Sequence, residues 1–259
     1  KKGERIKKSP KPFTTSTMQQ EASKALNFPI AKTMRIAQQL YESGYITYLR
    51  TDSIRISAEA DKACRAFVSE TYGKDYVTSA GTAVQNGKNI QDAHEAIRPT
   101  DIHAVPEQFK EKLPRDSFRL YQLIWKRFTA SRMNPAVYDQ INIRLPCAGH
   151  IFTASGSKLV FDGFLKVYRE SRDEEPGEGL ETQGLPEFHM DDQLTYSNIS
   201  ACERFTQHPQ RYNEAALVHK LEELGIGRPS TYAPTIGTIQ QREYVLREDI
   251  AGKTRNVEV

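Results

Sequence analysis

Apolar residues recur with helical spacing at both ends of the chain and alternate in between. Residues 14–28 begin with a Thr/Ser cluster and continue in helix formers, with Ser16 or Thr17 placed to cap the helix. Pro29 separates this stretch from residues 30–43, where Ile30, Met34, Ala37 and Leu40/Tyr41 follow the 3.6-residue period and Gly44 stands at the stop. The two helices and their short break resemble a helix-turn-helix pair, and a plain helical hairpin fits the same pattern. Residues 45–53 carry no period. Ser57 caps a helix over 58–72 that Gly73 ends, residues 74–93 read as loop, and Asp116 or Ser117 opens a helix running to Met133. From Ala136 the period changes. Val137, Ile141, Ile143 and Leu145 partly alternate with Tyr138, Asn142 and Arg144, and residues 150–154, 158–161, 164–168 and 193–196 are further short strand candidates. Helices return at 214–224, capped by Asn213 and closed by Gly225, and from Ser230 to about Arg242, before a strand-like 244–247.

The order is helical, then antiparallel β, then helical, with no βαβ alternation and no Gly-rich phosphate loop. The chain is therefore expected to be α+β in three parts, 1–134, 135–198 and 199–259, and not a doubly wound nucleotide-binding fold.

Composition narrows the class. The 259 residues are 38% hydrophobic and 27% charged, and no apolar run is long enough to cross a bilayer, so no membrane partner is expected and a cytoplasmic protein is the default. Cys64, Cys147 and Cys202 are scattered and odd in number, which argues against a disulfide framework or a zinc site and suits a packing role. The net charge of +3 hides an asymmetry. Residues 170–192 hold nine acidic side chains and one Arg, which leaves 35 basic against 24 acidic residues elsewhere. An acidic stretch with Gly and Pro reads as a solvated loop, and the basic remainder suits a phosphate backbone.

One segment gathers chemistry. Residues 46–53 place a phenol, a cation and several hydroxyls together, and extended backbone would put Tyr48 and Arg50 on one face. A phenol with a pKa near 10 needs help to act as a nucleophile, and Arg can stabilise both the phenolate and a phosphorus under attack. A packed tyrosine beside a surface arginine meets the same spacing. Near neutrality His94 can hydrogen-bond a phosphate or assist proton movement. Around Gly225-Ile226-Gly227-Arg228-Pro229-Ser230-Thr231, two readings fit: a helix N-terminus beside Arg228 that holds phosphate, and glycines with Ser230 that simply join two helices. Tyr232 could stack on a base or pack in a core.

Four motifs turn these options into a resemblance. Tyr45-Ile46-Thr47-Tyr48-Leu49-Arg50-Thr51-Asp52-Ser53 resembles the nucleophile signature of bacterial topoisomerase I, a type IA family. Residues 11–22, 93–100 and 221–233 resemble further motifs of that family, in the family's order. The resemblance implies a helical tyrosine domain, a β-rich arch segment and part of a helical gate base. It implies Tyr48 as nucleophile, Arg50 on the scissile phosphate and His94 assisting, with Arg98, Arg228, Ser230 and Thr231 as DNA contacts. The expected partner is single-stranded, negatively supercoiled DNA, broken through a 5′-phosphotyrosyl bond, passed and resealed without ATP.

The resemblance also exposes a gap. The family's Toprim domain binds Mg²⁺ through an acidic cluster, and no Asp-x-Asp element occurs in these residues. Mg²⁺ and its ligands are therefore expected on a missing Toprim portion, metal ligands within this chain are expected to be none, and the chain alone is expected to cleave poorly or not at all. The rival reading is a non-catalytic DNA-binding module built on the helix pair at 14–43. Tyrosine recombinases and type IB topoisomerases fit less well, because they need Arg–His–Arg before a late tyrosine, whereas Tyr48 precedes His94 and Arg98.

Overall fold

The computed structural model describes residues 2–78, 94–169, 189, 192–202, 206, 209 and 211–248. Six helices, α1 (Thr15–Leu26), α2 (Ile30–Glu42), α3 (Ala58–Tyr72), α4 (Arg115–Ala130), α5 (Glu214–Glu223) and α6 (Tyr232–Gln241), accompany three strands, β1 (Lys2–Lys7), β2 (Ala136–Cys147) and β3 (His150–Phe161). Mixed helix and sheet, as expected, is what forms.

The strands make one antiparallel sheet in the order β1-β2-β3. β1 was not anticipated. It pairs Lys2 with Ile141 and Lys7 with Ala136, so it needs a partner about 130 residues away that its own Lys- and Arg-rich sequence does not announce. β2 and β3 form a long hairpin closed by Ala148 and Gly149, both at positive φ (48° and 80°), a type I′ turn that matches the twist of the strands. Stretches expected as two short strands at 150–154 and 158–161 are one continuous strand. In the hairpin only Ala136 and Tyr138 at the start of β2 and Gly156 in β3 are buried. Ile151, Phe152 and Val160 further along the hairpin are exposed.

Other expectations shift for local reasons. Residues 164–168 are not a strand. Gly163–Lys166 is a 3₁₀ turn whose Phe164 and Leu165, with Tyr168, point into the core, so the apolar spacing is that of one helical turn. No strand forms at 193–196 or 244–247 among the described residues. Cys64 is buried, and desolvation pushes its thiol up to about 12. Cys147 and Cys202 are exposed, which corrects the packing role expected of them. Residues 79–93 of the expected loop, and most of the acidic run, lie outside the described residues.

The helices share one core. Phe13, Met18, Leu40, Leu49, Ile97, Tyr121, Ile124 and Phe128 belong to a single buried cluster that also takes in Tyr138, Phe164 and Tyr168. Arg127 ties its edges together. Its Nε donates to Lys11 O at 2.6 Å, its terminal nitrogen donates to the Tyr168 hydroxyl at 3.1 Å, and its guanidinium lies over Phe13 and Tyr168. A second small cluster of Ile30, Val218, Tyr232 and Ile236 joins α2 to α5 and α6. There Glu214 accepts from the Ile30 N–H at 2.9 Å, filling one of the unpaired donors at the start of α2, and pairs with Arg247 at 2.9 Å.

Gly163 is the tightest point. At φ +49° a Cβ would strike the carbonyl oxygens of Asn134 and Pro135, the latter at 2.5 Å. Gly163→Ala should therefore destabilise by about 3 kcal/mol or more, overpacking and left-handed backbone acting together. Gly149→Ala, with open space around it, should cost about 1 kcal/mol. Urea unfolding of the two variants checks this, and equal losses would contradict it.

Candidate active site

Tyr48 lies in a stretch with neither helix nor strand, held by two neighbours. On one side, Ile46 bridges Pro99, the Thr47 N–H donates to Arg98 O at 2.9 Å, and the Arg98 N–H donates to the Thr47 hydroxyl at 3.0 Å. That hydroxyl in turn donates to Ala96 O at 2.7 Å. On the other side is the start of α1. Thr14 caps it, its hydroxyl accepting from the Thr17 N–H while the Thr17 hydroxyl accepts from the Thr14 N–H. The cap was expected at Ser16 or Thr17. It falls at Thr14 because Thr15 and Ser16 are buried inside the first turn.

Thr15 makes the junction. Its N–H donates to Thr51 O at 2.9 Å and its hydroxyl accepts from the Thr51 N–H at 2.9 Å. The same hydroxyl lies 2.7 Å from Leu49 O and 3.1 Å from Thr51 O. Leu49 is consequently buried, while Tyr48 is half-buried and Arg50 exposed. Thr51 and Ser53, hydroxyls noted beside the tyrosine, turn inward. They accept from the Ser53 and Arg55 N–H groups, so they shape the loop and do not face outward.

The Tyr48 ring packs edge-on against Tyr41, with centroids 5.3 Å apart, and lies 5.3 Å from the exposed His94 imidazole. Its hydroxyl makes no hydrogen bond among the described residues, and neither does the Arg50 guanidinium. The chain has thus brought phenol and imidazole together at an open surface, with the exposed Arg50 two residues along. Arg98 is different. Its Nε and a terminal nitrogen reach Glu95 at 2.9 and 2.6 Å, and its other terminal nitrogen donates to Pro99 O at 3.0 Å.

Arg228, Ser230 and Thr231 sit between α5 and α6, all exposed. The N-cap of α6 is Thr231 and not Ser230, and its hydroxyl accepts from the Arg228 N–H at 2.8 Å. The Ser230 hydroxyl makes no hydrogen bond among the described residues. Tyr232 is core: buried with Ile30, Val218 and Ile236, its phenol is raised mainly by that desolvation. Asp52 and Glu222 raise it further and Arg228 opposes them, so this turn and the end of the tyrosine segment lie within electrostatic reach of one another.

Sequence reasoning missed Thr15 and Thr47. Both were visible only as members of hydroxyl-rich runs, and a buried threonine bonding a distant carbonyl has no local signature. No group of three His, Cys, Asp or Glu side chains that could hold a metal ion occurs among the described residues.

A family model described as DNA topoisomerase matches residues 1–255. Among solved structures, full-length topoisomerase I from Thermotoga maritima is 36% identical with a TM-score of 0.76, and the match covers 96% of this chain and 40% of that one. The chain thus spans about two-fifths of that relative's length.

Thr15→Val keeps the shape and removes the hydroxyl, stranding the Thr51 N–H and the Leu49 carbonyl. The expected loss is about 1–3 kcal/mol in urea unfolding, with Thr15→Ser recovering most of it. Equal stability of the valine and native chains would refute the junction.

Proposed function

Because this chain belongs to the DNA topoisomerase family, on its bacterial type IA branch, we propose that it carries the strand-breaking tyrosine of an enzyme that relaxes negatively supercoiled DNA. The observation that carries this reading is the Tyr48 phenol, unbonded at an open surface, with His94 against its ring and Arg50 close in the chain.

In this reading the Tyr48 oxygen attacks the phosphorus of a single-stranded phosphodiester. A P–O(Tyr) bond forms as the bond to the 3′ oxygen breaks, the phenol gives up its proton, and the departing oxygen gains one to become a 3′-hydroxyl. The 5′-phosphate stays on the protein. Another strand passes, and the 3′-hydroxyl attacks the phosphotyrosyl bond in reverse. One phosphoester replaces another at each step, so resealing needs no ATP. Arg50 neutralises the phosphate and the charge that builds on it. His94 hydrogen-bonds the phosphate or relays a proton near neutral pH.

Arg228, Ser230 and Thr231 serve as backbone contacts for the single strand beside the Asp52 end of the segment. Arg98 contributes more locally. Three of its N–H groups are engaged by Glu95 and Pro99, and the remainder of its five donors can reach a phosphate. In this reading Mg²⁺ belongs to a Toprim portion of the parent enzyme, and no step here runs through it. The proposed division is a tyrosine domain to residue 134, an arch segment to 198 and a gate-base part to 259, with Lys2–Lys7 returning to the arch sheet. No helix among the described residues is long and apolar enough to cross a membrane, and a cytoplasmic enzyme is proposed.

The test uses the parent enzyme with these residues in their full chain, labelled single-stranded DNA, Mg²⁺ and a denaturing quench. A covalent adduct carrying the 5′-phosphate should form and should vanish in Tyr48→Phe. An adduct that persists in the Phe variant would move the chemistry elsewhere, and tight binding with no adduct would favour a binding module. The isolated 259-residue chain should relax supercoiled plasmid at a small fraction of the parent rate or not at all. Full Mg²⁺-dependent relaxation by it would show that no further portion is needed.

A further inference from the structure

A groove of about 410 Å³ opens between α4, the C-terminal end of α1 and the segment after Gly163. Its charged and polar lining comprises Arg119, Gln122, Lys126, Lys166 and Arg169, and among the described residues no Asp or Glu lines it. Arg119, Gln122 and Lys126 recur at helical spacing on one half-buried face of α4, while Leu120, Tyr121 and Ile124 turn inward. Leu26, Leu123 and Leu165 make the floor.

Lys166 is engaged by Tyr76, through its hydroxyl and its ring, and the two cations on α4 are the available ones. Lys126 makes no hydrogen bond or ion pair among the described residues. Arg119 lies over the Phe28 ring at 5.3 Å, a stacking that leaves the edge of its guanidinium free to donate. The nearest carboxylate on its own helix, Asp116, is taken by Lys32 at 2.6 Å. A groove whose described lining sets the Arg119 and Lys126 cations beside leucines, with no acid among the described residues, suits a chain that is anionic along one edge and apolar along the other.

The groove is separate from the tyrosine. Thr15, at the start of α1, holds the Tyr48 segment, whereas Leu26, at its other end, lines the groove. Eleven residues of helix put roughly 16 Å between them. We propose that this groove is a second binding site for a single-stranded DNA backbone, holding strand away from the point of cleavage and reading no sequence. It takes its ligand class from the topoisomerase reading. The leucines of its lining offer an apolar surface to the sugars and bases of a strand whose backbone the cations hold.

The experiment uses the full-length parent enzyme with Arg119→Gln/Lys126→Gln, and the charge-keeping pair Arg119→Lys/Lys126→Arg as control. Binding of a long single-stranded oligonucleotide is measured against salt concentration, alongside covalent capture of an oligonucleotide too short to extend past the cleavage site. The neutral pair should flatten the slope of log K against log salt by about 1.4, two contacts at about 0.7 each. Short-oligonucleotide capture should be unchanged, and the charge-keeping pair should restore the slope. An unchanged slope in the neutral pair overturns the proposal. So does a loss confined to duplex DNA, or one that the charge-keeping pair fails to restore. Failure of the topoisomerase reading would look different, as absence of Tyr48-dependent capture in the unaltered enzyme.

Discussion

A buried stretch of backbone that is neither helix nor strand must find hydrogen-bond partners outside itself, and the segment carrying Tyr48 meets that demand through two threonines. Thr15 answers the Leu49 and Thr51 carbonyls and the Thr51 N–H from the first turn of α1. Thr47 answers Ala96 and Arg98 from within the segment. Leaving such groups unpaired costs about 1–3 kcal/mol each. The segment is therefore fixed between α1 and residues 96–99, and with Leu49 driven into the core, its neighbours Tyr48 and Arg50 must face outward. Exposure of the reactive groups is thus a consequence of satisfying the backbone beneath them.

The same constraint brings His94 to the tyrosine. Forty-six residues separate the two in sequence, and nothing in their spacing foretells a meeting. The bridge from Ile46 to Pro99 and the one from Phe13 to Ile97 set the returning chain alongside, which leaves His94 at the open edge. Arg127 secures the Phe13 end of this arrangement by joining Lys11, Phe13 and Tyr168. A surface assembled in this way depends on side chains that lie beneath it.

Local signals were read well where they were sufficient. Ser57 and Asn213 cap α3 and α5, and Gly44, Gly73 and Gly225 take positive φ at helix ends, because each of these features is decided within a few residues. Where the deciding partner is distant, the sequence was silent or misleading. β1 is a charged edge strand, a composition that protects a sheet edge and disguises a strand. The cap of α1 was expected at Ser16 or Thr17, yet with Thr15 bonded to Leu49 and Thr51 it falls at Thr14. Residues 164–168 carry aromatic and β-branched side chains suited to a strand, yet burying Phe164, Leu165 and Tyr168 together requires a turn. At the site, the family motifs named Tyr48, Arg50 and His94, of which the Tyr48 and His94 rings meet in the structure, while Thr15 and Thr47 could emerge only from coordinates.

Charge follows the same division between local and distant causes. Arg98 is largely occupied by Glu95 and the Pro99 carbonyl, and Arg127 is spent on the core. Arg50 and Lys126 have no such partners among the described residues. The surplus of basic residues outside 170–192 therefore overstates what a polyanion would meet, because several of those cations already serve the fold. What counts for a phosphate backbone is the cation held in place and left unneutralised. Arg119, stacked on Phe28, meets that criterion in the α4 groove, which lies at the other end of α1 from the Tyr48 segment.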